Sequence, residues 1–438
     1  MPSQIHLQWS GARDGEHFRT GVSLHSHTLH SRESLDCVEV AGAKSWWMRE
    51  AVRISEQRYF KLRGTRLNLK NGWWTPPLGP QEVWSAERNQ IEELGLGALV
   101  SLTDHDDIEA PMSLQVLEGC RGTPISVEWT VPFGPTVFHL GVHNLPPAEA
   151  RAWFAEMDRY RSHRRLEGLR EALRQLSAWR DTLVILNHPL WDESGTSAGR
   201  HAATALQFLD EFGEWLHALE LNGLRPWSEN RKVLAIARDF GKPVVAGGDR
   251  HAAESNAVLN LTRATSFEEF TAEIREGCSD VLILDHYREP HLSRVTRNIA
   301  DVLRTYDRHP NGWRRWSDRM FCPDAGGNAR SLGDLFAGRT PEPIAVFVGA
   351  MQLASLPHLN AVRTISLFGL SDVKLQFTYD TTYEQARQQV LNRLAQMPPL
   401  PNGAQPTISP TSPIGEIYRY RVVGPPGYTL AEIGRAHV

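Results

Sequence analysis

Short apolar runs of four to seven residues alternate, through the first two-thirds of the chain, with amphipathic stretches of ten residues or more. The runs lie at 21–24, 98–102, 124–127, 136–142, 183–186, 218–221 and 243–246, with a last one at 280–284. Between them, 80–94, 147–176, 203–216, 229–240 and 267–276 carry apolar residues at three- and four-residue spacing, which predicts helices. Continuous apolar runs separated by helices predict buried, mostly parallel strands, and hence an α/β barrel. Residues 38–80 interrupt the rhythm. That segment holds Trp46, Trp47, Trp73 and Trp74, and eight Lys/Arg against two Glu between 41 and 70. It reads as an insertion packed by its aromatics on the barrel rim, or as a basic lid drawing in an anionic substrate. A helix is expected from about 287 to 306, followed by a Trp-rich segment (311–321) and a mixed stretch to about 354.

Composition narrows the class. A chain of 438 residues exceeds one ordinary core, so a large domain with an appendage is expected. A net charge of −4 provides no overall basic field for wrapping nucleic acid, although a local patch is compatible with it. No run of 18 uncharged apolar residues exists and residues 1–20 lack the apolar core of a secretion signal, so no membrane partner is expected. The four cysteines (Cys37, Cys120, Cys278 and Cys322) show no CxxC spacing, which fits a reducing cytoplasm rather than a disulfide framework.

The chemistry is concentrated where the apolar runs stop. The first ends in His25-Ser26-His27, whose i, i+2 spacing lets two imidazoles reach one ion. The second ends in Thr103-Asp104-His105-Asp106, the third at Glu128, and the fourth carries His139. The fifth ends in Asn187-His188-Pro189 and the seventh in Gly247-Gly248-Asp249-Arg250-His251, with glycines that permit close backbone approach. Catalytic groups of α/β barrels gather at the carboxyl ends of strands. Burying His25, His27, His105, Glu128, His139, His188, Asp249 and His251 together without a cation would be costly. His30, His163, His201 and His217 read as core or surface histidines, and Asp106, Asp107 and Asp192 as helix or turn caps.

The segments HSHT, LTDHD, VEW, FHLG, NHP and GGDRH resemble, in order, the motifs of the polymerase-and-histidinol-phosphatase (PHP) family over residues 21–285. That resemblance implies a distorted (β/α)7 barrel, bearing here a Trp-rich insertion and a C-terminal appendage, and two to three Zn, Mn or Fe ions. It assigns His25, His27, Glu128 and Asp249 to a first ion, and makes Glu128 a bridge to a second held also by His139 and His188. His105 and His251 hold a third, completed by Glu33 or Asp36, with Glu33 preferred. Glu220 reads as a rim or supporting residue. The implied activity is phosphate-ester hydrolysis by a metal-bridged hydroxide. Asp104 is expected to orient His105 or a bound water. Arg250 is a candidate phosphate contact, and His143 a candidate proton donor to the leaving group. A small phosphorylated metabolite or nucleotide is the favoured substrate; a nucleic-acid end is the alternative, and a non-catalytic metal-binding module the third reading. An amidohydrolase barrel also begins with HxH, but its bridging lysine has no counterpart at these run ends.

The tail differs. Residues 356–430 resemble a fragment of a heavy-metal efflux pump of the resistance–nodulation–division family, through Leu367–Val373, Gln376–Tyr383 and Ile408–Tyr420. The residues predict a strand (373–379), a helix (382–397), a Pro-rich connection and a strand (415–423), without membrane helices. The final EIGRAHV (432–438) resembles translated adapter sequence. A chimera or truncated reading frame is the expectation, a genuine fusion the alternative. Removing residues 356–438 is then expected to leave metal content and phosphatase activity unchanged, as measured by elemental analysis and turnover of the shortened chain.

Overall fold

The computed structural model describes residues 3–10, 18–35, 46–67, 71–324, 326–336, 353–356, 358–367, 370–396 and 406–408. Asp36, Cys37, the strand expected at 415–423 and the 432–438 peptide lie outside the described residues.

The strands in chain order are β1 (Gln4–Leu7), β2 (Thr20–Ser23), β3 (Glu33–Ser34), β4 (Trp73–Trp74), β5 (Gly97–Val100), β6 (Val127–Phe133), β7 (Thr136–His143) and β8 (Leu183–Asn187). They continue as β9 (Ala218–Asn222), β10 (Val244–Gly247), β11 (Val258–Thr262), β12 (Asp280–Ile283), β13 (Met320–Pro323), β14 (Ala329–Ser331), β15 (Leu359–Leu367) and β16 (Leu370–Phe377). Two five-stranded sheets form the body, in the orders β1-β12-β11-β2-β5 and β10-β9-β8-β7-β6. β2, β8, β9, β10 and β11 are buried at every position, which is why the runs at 21–24, 183–186, 218–221 and 243–246 are so continuous; β11 has no counterpart among the expected runs. The protein is therefore a mixed α/β fold.

Two expectations are corrected, the mostly parallel sheet and the single helix at 147–176. The sheets are mixed rather than mostly parallel: β6–β7, β7–β8, β11–β12 and β11–β2 are antiparallel, while β2–β5, β8–β9, β9–β10 and β1–β12 are parallel. No closed barrel is found among the described ladders; two isolated parallel bridges, Ser26–Arg250 and His105–Glu128, connect the two sheets beyond their strands. Both bridges fall on the motif residues. The single helix expected at 147–176 is two, Ala150–His163 and Leu166–Ala178, separated by Arg164 in left-handed backbone with φ 52°. Apolar spacing continues across the break, so periodicity does not register it.

The main core lies between the second sheet and its helices. Trp129, fully buried on β6, packs edge-on against Trp153 and Tyr160, while Phe208 and Phe212 pack against Phe133 from the helix Ala198–Phe212. Residues 46–336 outside the body assemble a separate small layer. The helix Trp46–Arg63 contributes Tyr59 to a cluster with Leu67, Leu303, Trp316, Cys322, Leu332, Leu335 and Phe336. Arg63 donates to the carbonyls of Leu335 and Asp334. The insertion is thus packed against the later extension, and both feed a four-stranded sheet ordered β14-β13-β4-β3. That sheet holds Glu33, paired opposite Trp74. In the tail, the helix Tyr383–Gln396 matches the expected one, and Arg393 shares a cavity with Glu254, Arg297, Asp301 and Arg304.

One buried polar node locks the helix Pro80–Glu92 to both sheet ends. Glu87, fully buried, accepts from Ser26 Oγ at 2.8 Å and Asn256 Nδ2 at 2.5 Å, and lies 2.8 Å from Arg250 Nε. Removing the carboxylate strands a buried guanidinium. Glu87→Ala is therefore expected to destabilise the fold by about 3–5 kcal/mol. Glu92→Ala, which breaks the exposed pair with Arg88, should cost less than about 1 kcal/mol. Denaturant unfolding of the two variants measures the difference.

Candidate metal centre

Glu128, the second residue of β6, is wholly buried and touches five imidazoles. Its Oε2 lies 2.9 Å from His25 Nε2, 3.3 Å from His27 Nε2 and 3.3 Å from His105 Nε2. Its Oε1 lies 3.2 Å from His188 Nε2 and 3.8 Å from His139 Nδ1, and accepts from Asn187 Nδ2 at 2.9 Å. Asp249 Oδ1 stands 3.5 Å from both His27 Nε2 and His251 Nδ1, and 3.7 Å from His25 Nε2. Glu33 completes the far side, with Oε2 at 3.2 Å from His105 Nε2 and 3.5 Å from His251 Nε2, and Oε1 at 3.5 Å from His27 Nδ1. All nine residues expected to bind metal thus converge on one volume. Three elements of the fold deliver them: the ends of the two main sheets and the edge strand β3 of the small layer.

Local backbone shows how strongly the geometry is imposed. His188 has φ 26° and Asp249 φ 57°, left-handed values that side-chain-bearing residues rarely adopt. His188 precedes Pro189, which disfavours compact backbone there still further. The His188 amide is held by Glu220 Oε2 at 2.8 Å. Beside it, a Cβ on Gly247 would sit 1.5 Å from Glu220 Oε1, so only glycine lets β10 pass this carboxylate.

The buried charges of the cluster are strongly coupled. Burial alone would lower the pKa of His25, yet Glu128, Glu220 and Asp249 hold it well above 6.5. Burial would raise Glu128, but His25 and His105 keep it well below the usual carboxylate range. His27 is pushed down to about 4 by burial and by His251, and its Nε2 has no hydrogen-bond partner. An orphaned buried imidazole nitrogen, two oxygens from the hub and a mixed N/O donor set suit Zn, Mn or Fe. Four groups have donor atoms all within 4.8 Å of one another: His25–His27–Glu128, His25–His188–Glu220, His27–Glu33–His251 and His105–Glu128–His139. The residues fit divalent ions.

Glu220 and Glu193 extend the expected set. Glu220, read from sequence as a rim group, accepts from His25 Nδ1 at 2.5 Å and belongs to one of the four groups. A lone carboxylate in the otherwise apolar, fully buried β9 was the available signal. Glu193 reaches within 3.4 Å of His139 Nε2 from the loop after His188, where no periodicity marks it. Three expected roles meet different surroundings. Asp104 accepts from Thr28 N at 2.5 Å and Thr28 Oγ1 at 2.7 Å, so it fixes the turn after His27 rather than the His105 ring. Burial raises its pKa to about 7 against the opposing effect of those two bonds. His143 lies in the interior with Nδ1 2.8 Å from Ser101 Oγ, and burial pushes its pKa down to about 3. Arg250 turns toward Glu87 and donates to Gln90 Oε1 at 2.6 Å and to the Ala253 carbonyl.

No family model matches the chain. A stretch of 84 residues is 33% identical to Protein HelA of Legionella pneumophila, covering 19% of this chain and only 8% of that protein. The expected likeness of the tail to an efflux pump, and with it the chimera, is not supported. Among solved structures, a protein from Bifidobacterium adolescentis provisionally named a metal-dependent phosphoesterase aligns with TM-score 0.32 at 15% identity, over 46% of this chain and 91% of its own. PsfC from Pseudomonas syringae PB-5123 aligns with TM-score 0.35 at 12% identity, over 65% and 99%. Scores at this level leave the reading of the site to its own residues.

The full chain incubated with Zn, Mn or Fe is expected to retain two to three equivalents by elemental analysis. Its melting temperature should rise with metal concentration, because ions that bind only the folded site stabilise it. Less than one equivalent after loading contradicts the centre.

Proposed function

We propose that the chain is a metal-dependent phosphoesterase, acting on a small phosphorylated metabolite or nucleotide as a phosphomonoesterase. The observation that carries this reading is Glu128, one buried carboxylate shared by five imidazoles and flanked by Asp249, Glu33 and Glu220. The Ser26–Arg250 and His105–Glu128 bridges support arranging β2 and β5 to β10 as a distorted seven-stranded barrel, with these residues at one rim. In the proposed assignment His25, His27, Glu128 and Asp249 hold one ion, and Glu128, His139 and His188 a second. Glu33, His105 and His251 hold a third. Divalent ions there would supply an activated water and neutralise charge on a phosphoryl group. The chain's own contribution is positional. Glu128 keeps the imidazoles converged, Glu220 fixes the His25 ring through Nδ1, and Asp104 holds the turn that carries His27.

A second reading rests on aromatic groups beside the centre. Trp74 lies 5.5 Å from the His251 ring, and the Arg32 guanidinium lies 5.5 Å over Trp73, which stacks on Phe321. Such a surface suits stacking of a nucleobase, hence a nucleotide or a nucleic-acid end. Among the described residues no helix is long and apolar enough to cross a membrane.

Screening metal-loaded protein against phosphomonoesters, phosphodiesters and short oligonucleotides tests the reading. Glu128→Gln keeps the shape but removes the shared charge, so turnover should fall at least about 100-fold. Near-normal turnover in that variant places the chemistry elsewhere. Trp74→Ala should raise KM for nucleotide substrates alone, and an equal effect on a non-aromatic phosphate ester removes the stacking role.

A further inference from the structure

Among the described residues the buried arginines Arg250, Arg294 and Arg319 are committed to protein acceptors. Arg250 serves Glu87 and Gln90, Arg294 donates to the Gly223 carbonyl, and Arg319 donates to the carbonyls of Arg304, Arg314 and Val302. Arg225 differs. Its Nε is buried without a hydrogen-bond partner, as are those of Arg250 and Arg294, but among the described residues the rest of its guanidinium also makes no hydrogen bond and no ion pair, whereas theirs does. Its guanidinium carbon lies 3.7 Å from the centre of the Trp191 ring. Stacking at that distance holds the planar group flat and leaves its edge donors free for an acceptor that the protein does not itself supply.

Both halves of the pair spring from the metal-centre residues. Trp191 closes a turn on His188, its amide donating to the His188 carbonyl at 2.9 Å. Arg225 closes a turn on Asn222, whose side-chain amide donates to Asp249 Oδ2 and Glu220 Oε2, each at 3.1 Å. Tyr287 Oη donates to the Arg225 carbonyl at 2.8 Å and fixes the loop from outside. The anions whose field reaches Arg225 are Asp249, Glu229 and Glu220, two of them in the cluster. A guanidinium is costly to hold near buried surface with no protein acceptor, and its donors suit an anionic ligand.

We infer that Arg225, clamped on Trp191, is the substrate-binding cation that takes the non-bridging phosphate oxygens at the metal centre, in the place that sequence had assigned to Arg250. The inference deepens the phosphoesterase reading and rests on it. Guanidinium donors match phosphate oxygens two at a time, a geometry that an ammonium cannot reproduce. Trp191 is 39% exposed, so the stacked pair reaches the protein surface.

The test uses the full, metal-loaded chain with inorganic phosphate as the probe in titration calorimetry, beside steady-state kinetics on a phosphomonoester. Arg225→Ala should weaken phosphate binding at least about tenfold, the loss expected for one charge-assisted contact, with metal equivalents unchanged. KM should rise by a similar factor and exceed the change in kcat. Arg225→Lys should restore part of the affinity, and Trp191→Ala should weaken phosphate in the same direction. Unchanged phosphate affinity in Arg225→Ala overturns the inference while leaving hydrolysis by the wild type intact. Metal loss in both Arg225 variants also overturns it, by making Arg225 a support of the centre. A wild type that binds metal yet neither binds phosphate nor cleaves any ester overturns the phosphoesterase reading, and this inference with it.

Discussion

Everything in this structure is arranged around one buried carboxylate that cannot be solvated. Glu128 lies fully inside the protein, and burial of an isolated carboxylate is prohibitive unless positive charge meets it. Five imidazoles do so, but they compete for the same proton and with one another. His25 is held well above 6.5 by the acidic side, while burial and His251 push His27 down to about 4. A protonated cluster would therefore be frustrated, since some rings gain charge only by expelling it from their neighbours. Divalent cations bound there would resolve the conflict by letting every ring remain neutral and every carboxylate remain ionised.

That constraint explains the unusual parts of the framework. The left-handed backbone at His188 and Asp249, and glycine where Glu220 passes β10, are local costs accepted to bring donors together. Glu87 then carries a second, purely structural charge pair behind the motif residues. It binds Arg250 and Asn256 on one side and Ser26, between the two ligand-type histidines, on the other. The insertion and the C-terminal extension have a comparable purpose. Their shared core supports a sheet whose edge is β3, and β3 carries Glu33 into the cluster. A segment far along the chain thereby determines the position of a residue near its start.

Strand-end chemistry was legible in the sequence because a ligand-type residue that terminates an apolar run violates the pattern around it. His25, His188 and Asp249 follow the ends of β2, β8 and β10, whereas Glu128 stands near the start of β6, which runs on to Phe133 beyond the run expected at 124–127. Glu220 breaks it too, in the middle of β9, and was undervalued because the i, i+2 rule draws attention to strand ends. Strand direction was not legible. Antiparallel β6, β7 and β11 are as apolar as their parallel neighbours, since both faces of the sheets are covered and the period-two signal vanishes. β1 was missed for a different reason. Its residues are only partly buried, and its register is supplied by β12 from the other end of the body.

The two arginines show why a role cannot be assigned from adjacency to a motif. Arg250 lies between Asp249 and His251 in sequence, but Asp249 has left-handed backbone, so neighbourhood in the chain does not set where the next side chain points. Arg250 meets Glu87 instead of the cluster. The cation proposed to serve the cluster comes from a turn beside it. Arg225 takes this position because the Asn222 turn redirects the chain after β9 and Trp191 fixes the resulting side chain. Neither turn has a periodic signature, and Trp191 and Arg225 are 34 positions apart in sequence. Their pairing is a property of the loops that leave adjacent, parallel β8 and β9, so it could be read only after the strands had been placed side by side.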